Sequence, residues 1–251
     1  MRRHELLQNL HELLRPRTYL EIGVSSGASM TRSRARSIGV DPAFRVEREL
    51  LCDLHLVRAT SDEFFARRHP LAHFDEPVVD LAFIDGMHLA EYALRDFVNT
   101  ERFTHPASVI VIDDMLPRTI GEADRDRGRP RSGPSWAGDV YKLLGPLRDL
   151  RPDLVCLEVD TLPTGTVVVL LPDATSTSLL AAYDDLVEAF VVPDPQQVPD
   201  EILGRSRAVA PEKLLAAPVW DGLRRLRELD DSQSRPGVAT LLAEGGLVTV
   251  R

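Results

Sequence analysis

Three aspartates stand directly after apolar runs. Asp85 follows VVDLAFI at 78–84, and Asp113-Asp114 follows SVIVI at 108–112. Apolar runs of that length bounded by turn residues read as buried strands. Where two such strands lie parallel and adjacent, their terminal carboxylates converge on one edge. Like charges repel there unless something positive sits between them. A hard divalent cation such as Mg2+, held by oxygen ligands, suits that place. It lowers the pKa of a coordinated hydroxyl and so supplies a nucleophilic oxygen near neutral pH. Plainer readings exist for the same residues: Asp85-Gly86 is a common turn pair, and Asp113-Asp114 before Met-Leu-Pro can cap a turn.

A second chemical signal is EIGVSSGASM at 21–30. Gly23 to Gly27 fits G-x-S-x-G, the elbow that presents the nucleophile of serine hydrolases. That elbow needs earlier strands, one of which supplies an oxyanion donor, whereas Ser25 follows the first strand of the chain. The glycines serve better as a tight loop at the carboxyl edge of a sheet, with backbone N–H groups facing a ligand. Asp41 closes the next strand in GVDP at 39–42, where an acidic side chain can accept hydrogen bonds from a ribose diol. The dinucleotide fingerprint G-x-G-x-x-G is missing because Ser25 replaces its second glycine. A ligand without a pyrophosphate fits better.

Glu21-x-Gly23-x-Ser25-x-Gly27, then Gly39-Val40-Asp41-Pro42, then Ser61-Asp62 after a third strand, resembles a class I S-adenosylmethionine-dependent methyltransferase over roughly residues 15–170. The resemblance implies that Glu21 and Gly23, with the Ser25–Gly27 loop, lie near the methionine part of the cofactor. It also implies that Asp41 holds the ribose and that Ser61 and Asp62 approach the adenine. For Ser61-Asp62 the alternative is helix capping. The aspartates resemble those of metal-dependent O-methyltransferases, of the catechol type and of the macrocin type that methylates sugars of natural products. That likeness implies Asp85, Asp113 and Asp114 as ligands of Mg2+ or another divalent metal. His88 stands where the catechol type has a basic residue acting as general base, although that residue is Lys. Histidine titrates near neutral pH, and base, metal ligand and substrate contact all stay open for it.

These residues need elements to position them. Leu6, Leu7, Leu10, Leu13 and Leu14 recur at helical spacing, which predicts an amphipathic helix over 3–14 ended by Pro16. Strands are expected at 18–22, 37–40, 55–58, 78–84, 108–112, 154–159 and 166–171. Helices are expected at 29–36, from Glu63 with Ser61 or Asp62 as cap, and after Leu89, where Glu91 and Arg95 form an i,i+4 pair. The last two strands, separated by Asp160–Gly165, suit an antiparallel pair. The earlier ones alternate with helices, as in a parallel sheet. The fold class expected is therefore α/β, a doubly wound Rossmann-like sheet, mostly parallel with an antiparallel last strand, plus a C-terminal extension. We read 1–190 as the cofactor-binding domain and 117–135, rich in Arg, Asp, Gly and Pro, as a mobile lid. Residues 191–251, with one helix near 219–229, read as an extension for packing or a subunit contact. Trp136 is a candidate pocket wall and Asp139 a helix cap. The arginines at 118, 125, 127, 129 and 131 read as lid charges or contacts to an anionic substrate.

A net charge of −9 over 251 residues argues against general nucleic-acid binding, RNA methylation included. Cys52 and Cys156 have no metal-ligand spacing and suit a reducing compartment. The first residues carry two arginines but no long apolar run, unlike a signal peptide, and no stretch reaches membrane-spanning length. The expectation is a cytoplasmic O-methyltransferase for a small-molecule hydroxyl, without membrane or nucleic-acid partners and open to homo-oligomerisation. A nicotinamide-dependent oxidoreductase and a non-catalytic cofactor-binding scaffold are the competing readings.

Overall fold

A computed structural model describes residues 1–130 and 133–247. Among them, seven strands form one sheet: β1 (Thr18–Ile22), β2 (Arg36–Val40), β3 (Leu54–Val57), β4 (Leu81–Ile84), β5 (Val109–Ile112), β6 (Val155–Val159) and β7 (Thr166–Leu170), in the order β3-β2-β1-β4-β5-β7-β6. The first five run parallel, and β7 lies antiparallel between β5 and β6. This is the expected Rossmann-like sheet with its antiparallel last strand.

Side chains alternate across each strand, so the sheet sorts its residues between two cores. Leu20 and Ile22 join one, with Phe64 of α2 (Ser61–Phe65), Leu94 and Phe97 of α3 (Ala90–Glu101) and Leu147 of α4 (Leu144–Asp149). α5 (Ser178–Ala181), α6 (Tyr183–Phe190) and α7 (Asp200–Leu203) add Leu179, Phe190 and Ile202 to it. Tyr19, Phe83 and Val111 face the other core, which is roofed by α1 (Arg3–Leu14) through Leu6, Leu7 and Leu10. That roof is completed by α8 (Pro211–Leu215), α9 (Trp220–Leu226) and α10 (Asp231–Glu244). From α8 on, the tail thus packs on the sheet side that carries α1, and it holds more helix than the single segment anticipated near 219–229.

Several local expectations are corrected. Residues 29–36 contain only a 3-10 turn, Met30–Arg32. The Ser33 hydroxyl accepts from the Ala35 N–H at 3.1 Å, which competes with helix continuation. Thr60, not Ser61 or Asp62, caps α2, in a reciprocal capping box with Glu63. Glu91 pairs with Arg125, and Arg95 with Asp62, in place of the i,i+4 pair. The third strand begins and ends one residue early. The described residues of 117–135 are irregular, with a 3-10 turn at Ile120–Glu122, but are tied down at several points; Arg131 lies outside the described residues. No helix among the described residues is long and apolar enough to cross a membrane.

Candidate active site

The sheet register levels the site. Ile22 pairs with Val40 and Ile84, and Ile84 with Ile112. The residues that follow, Gly23, Asp41, Asp85 and Asp113, therefore stand in one row at the carboxyl edge. Backbone bonds extend the ladder to each: Gly23 N–H to Val40 O, Asp41 to Val57 O, Asp85 to Ile22 O and Asp113 to Ile84 O, all at 2.8–3.1 Å. The carboxylates are fixed by the strands that precede them.

At β4 and β5 the charges interlock. His88 Nε2 lies 3.2 Å from Asp85 Oδ1, and Nδ1 lies 2.9 Å from Asp114 Oδ2. Nδ1 also hydrogen-bonds the Trp136 carbonyl at 2.9 Å. A carbonyl only accepts, so Nδ1 carries the proton in that bond, and Nε2 faces Asp85. Ligand atoms of Asp85, His88 and Asp114 all fall within 4.8 Å of one another. The Thr164 hydroxyl donates to the other Asp114 oxygen.

Asp113 turns elsewhere. Its Oδ2 is 3.0 Å from Arg3 Nε, and Arg3 Nη2 is 3.6 Å from Asp85 Oδ2. Neither Asp113 oxygen makes a hydrogen bond, although both are buried. Such a carboxylate is costly unless a cation compensates it. Burial, then the charges of Asp114 and Asp85, push the Asp113 carboxyl well up, against the opposing pull of Arg3. Burial also raises Asp114, opposed by His88. For His88, burial disfavours the cation, but Asp114 and Asp85 outweigh it and push the imidazolium up to about 11. Two cations, Arg3 and His88, thus sit among the three carboxylates.

Backbone strain clusters here. His88 and Asp114 have φ of 57° and 61°, in the left-handed region that non-glycine residues seldom adopt. Trp136 stacks on the His88 ring with centroids 4.9 Å apart and an interplanar angle of 9°. The neighbouring Gly138 lies so close beneath His88 that a Cβ would fall 1.7 Å from the His88 carbonyl oxygen. Asp139 carries no side-chain cap for its own turn; its carboxylate accepts from the Ala90 N–H and from Arg125 and Lys142. A cavity of about 10 Å3 beside the cluster is lined by Asp85, His88, Asp96, Asp113 and Asp114. It is the size of a single water or ion.

Toward β1 and β2, Asp41 accepts the Ser25 N–H at 2.7 Å and the Ala43 N–H at 2.6 Å. Ser25, with φ 49°, uses its backbone for this contact. Gly23 (φ 91°) packs on protein: a Cβ would lie 1.8 Å from the Asp85 carbonyl oxygen. Gly27 (φ 78°) closes the same loop under Val46. Glu21 is buried below it and accepts from Tyr19 Oη at 2.7 Å and from Ser29 Oγ. Asp62 forks onto Arg95 at 2.8 and 2.9 Å, and Ser61 hydrogen-bonds the buried Asp96. The structure therefore gathers Asp85, His88, Asp113 and Asp114 in one cluster, sets Gly23–Gly27 and Asp41 beside it, and ties Ser61-Asp62, at the start of α2, to Asp96 and Arg95 of α3. Sequence reasoning missed Arg3 and Thr164. Arg3 carries a faint signal, a basic residue opening an otherwise apolar-striped helix.

Residues 20–115 match the model of a family described as a methyltransferase domain. No curated protein matches the chain in sequence. Among solved structures, an O-methyltransferase from Bacillus cereus in complex with SAH is 18% identical, with 67% of this chain and 80% of that one covered and a TM-score of 0.48. An O-methyltransferase from Streptomyces achromogenes involved in tomaymycin synthesis, in complex with SAM, is 19% identical, with 68% and 79% covered and a TM-score of 0.46. An SAH-bound methyltransferase from Podospora anserina is 17% identical, with 68% and 78% covered and a TM-score of 0.47. The matched stretch, residues 20–115, carries Glu21, Asp41, Asp85, Asp113 and Asp114, so the candidate site falls within the part of the chain that is similar to that family.

Proposed function

We propose that this protein transfers a methyl group from S-adenosylmethionine to a hydroxyl of a small molecule, a sugar or secondary metabolite, in a metal- and His88-assisted reaction. The observation that carries the reading is the juxtaposition, on one sheet edge, of the Gly23–Gly27 loop and Asp41 with the Asp85–His88–Asp114 cluster. The first group suits a nucleoside cofactor and the second suits deprotonation of an acceptor beside it.

Asp41 is half-buried, and each oxygen takes one backbone N–H, leaving a lone pair on each for ribose hydroxyls. Gly23, Ser25 and Gly27 shape the wall against the methionine portion. Glu21, enclosed under that wall, supports it through Ser29. Ser61 and Asp62 border the adenine end.

The unbonded, buried oxygens of Asp113 and the two aspartates around His88 fit a divalent cation. Asp85, Asp113 and Asp114 would hold such a cation, which would make a nearby acceptor hydroxyl more acidic and offset the charges that keep His88 protonated. His88 Nε2, steadied by Nδ1–H on Trp136 O and by the indole face, takes the acceptor proton. Asp85 then stabilises the imidazolium that forms. Trp136 shields the acceptor oxygen from bulk water, and the strand tips align it with the transferred methyl.

Calorimetric titration with S-adenosylhomocysteine, followed by labelled methyl transfer to a panel of sugars and phenols with Mg2+ or chelator, tests the proposal. Asp41→Asn is expected to weaken cofactor binding about tenfold or more, the scale of a lost charge-assisted hydrogen bond. Replacing Asp113 and Asp114 together by Asn is expected to abolish turnover while sparing cofactor binding. Binding of NAD in place of the methyl donor would sink the assignment. Full turnover of the double variant under chelator would sink the metal mechanism alone.

A further inference from the structure

Arg3 enters the acidic cluster from outside the matched domain, on the first residue of α1. The chain around it is anchored: Arg3 N–H donates to Leu162 O at 3.2 Å, and Leu162 N–H to Met1 O at 3.0 Å. Its guanidinium lies over Asp113 at 3.0 Å and Asp85 at 3.6 Å. An arginine placed for recognition forks onto a carboxylate with two directed N–H bonds. Arg3 does not: its Nε and both Asp113 oxygens lack hydrogen bonds despite their burial. The guanidinium therefore sits within ion-pair distance of Asp113 without a directed hydrogen bond to it.

The oxygens of Asp85 are divided. Oδ2 faces Arg3, and Oδ1 faces His88. Asp113 has 1% of its side-chain surface exposed and is fixed by the strand, whereas Arg3 has 26% and a flexible stem. The guanidinium is the partner that can leave.

We propose that Arg3 is a tethered cation that fills the carboxylate cluster of the metal-free protein and competes with a divalent cation for Asp85 and Asp113. This rests on the cation reading above. It makes metal affinity a property of α1 as well as of the strand tips. A unit positive charge within 4 Å of two ligands of an incoming divalent ion opposes its binding by Coulomb repulsion and by occupying their lone pairs.

Electron paramagnetic resonance titration of free Mn2+ compares wild type, Arg3→Met, Arg3→Lys and the double variant Arg3→Met/Asp114→Asn, each checked for fold by circular dichroism. Arg3→Met is expected to bind Mn2+ at least about tenfold more tightly than wild type, the modest end of removing a nearby like charge. Arg3→Lys keeps the charge and is expected to stay within about threefold of wild type. Loss of the gain in the double variant places the ion at this cluster. In wild type, where no folding defect can intrude, the Arg3 Nε–H resonance is expected to shift as Mg2+ saturates the site. Equal Mn2+ affinity of wild type and Arg3→Met overturns the competition while leaving the cation reading intact. So does an Arg3 resonance that stays put at saturation. Absence of Mn2+ binding in every variant overturns the cation reading and the competition with it.

Discussion

Glu21 has no exposed surface. Burial lifts its carboxyl to about 8, against the lowering effect of hydrogen bonds from Ser29 and Tyr19. Its folded pKa therefore stands above the ordinary 4.5. A group shifted that way contributes stability that is fully present below the unfolded pKa and is lost as pH rises through the folded one. Glu21→Gln keeps the shape and removes the titration. Urea unfolding across pH 4.5 to about 8 is expected to show wild type losing ground to the variant at up to about 1.4 kcal/mol per pH unit, the slope of one linked proton. Parallel stability profiles would rule this out. The carboxylates at 41, 85, 113 and 114 were legible in the sequence because each directly follows an apolar strand. The burial of Glu21 was half legible: strand alternation puts it on the Tyr19 side, but the α1 roof over that side is a tertiary fact. Arg3 was barely legible, as a lone basic residue opening an apolar-striped helix, since its partners lie across the sheet in Asp85 and Asp113.

At the scale of elements, the segment between β5 and α4 behaves as a strap. Arg125 ties it to α3: its guanidinium meets Glu91 at 2.6 and 3.0 Å and Asp139 at 2.6 Å. Backbone N–H groups of Arg125 and Asp126 reach Asp194, and Trp136 Nε1 reaches Asp124 O at 2.7 Å. Asp139 is wholly buried, so removing the arginine leaves its charge with Lys142 and one backbone donor. Arg125→Met is expected to cost about 1–3 kcal/mol, the range for stranding a partner of a buried ionic network. It is also expected to speed amide exchange at 133–139 and to lower turnover by releasing Trp136 from His88. Unchanged exchange there would show that the strap does not depend on this arginine. Composition identified the segment as irregular; it could not show the strap's anchors, because Arg125 and the acids its guanidinium meets are 14 and 34 residues apart. Helix 29–36 failed for a local reason, the Ser33 hydroxyl taking the Ala35 N–H. α10 was missed because Pro236 and Gly237 interrupt it.

At the scale of the whole molecule, the tail is part of the second core. Trp220, Leu223, Val238 and Leu242, none more than 3% exposed, pack with Leu6, Leu7 and Leu10 of α1 on the sheet. Arg205 adds a polar seam: its guanidinium donates to the carbonyls of Leu116, Thr161 and Pro163 and to Asp160. Those acceptors lie on the turn between β6 and β7 and on the residues after Asp114, so the tail also fastens the backbone behind the acidic cluster. The sequence hid this because its prolines cut the tail into short helices, too brief for a long apolar stripe to show. Burying a large apolar side chain contributes about 1.5–3 kcal/mol, and a whole domain's margin is only about 5–15 kcal/mol. A chain ending after Phe190 exposes the faces that these four residues cover and loses the Arg205 seam. It is expected to lack a cooperative thermal transition by circular dichroism and to bind a hydrophobic dye, whereas the full chain melts in one step. Arg205→Met, which spares the apolar contacts, is expected to keep the single transition at a lower temperature. Cooperative melting of the shortened chain near the full-length midpoint would show instead that α1 and the sheet carry the second core without the tail.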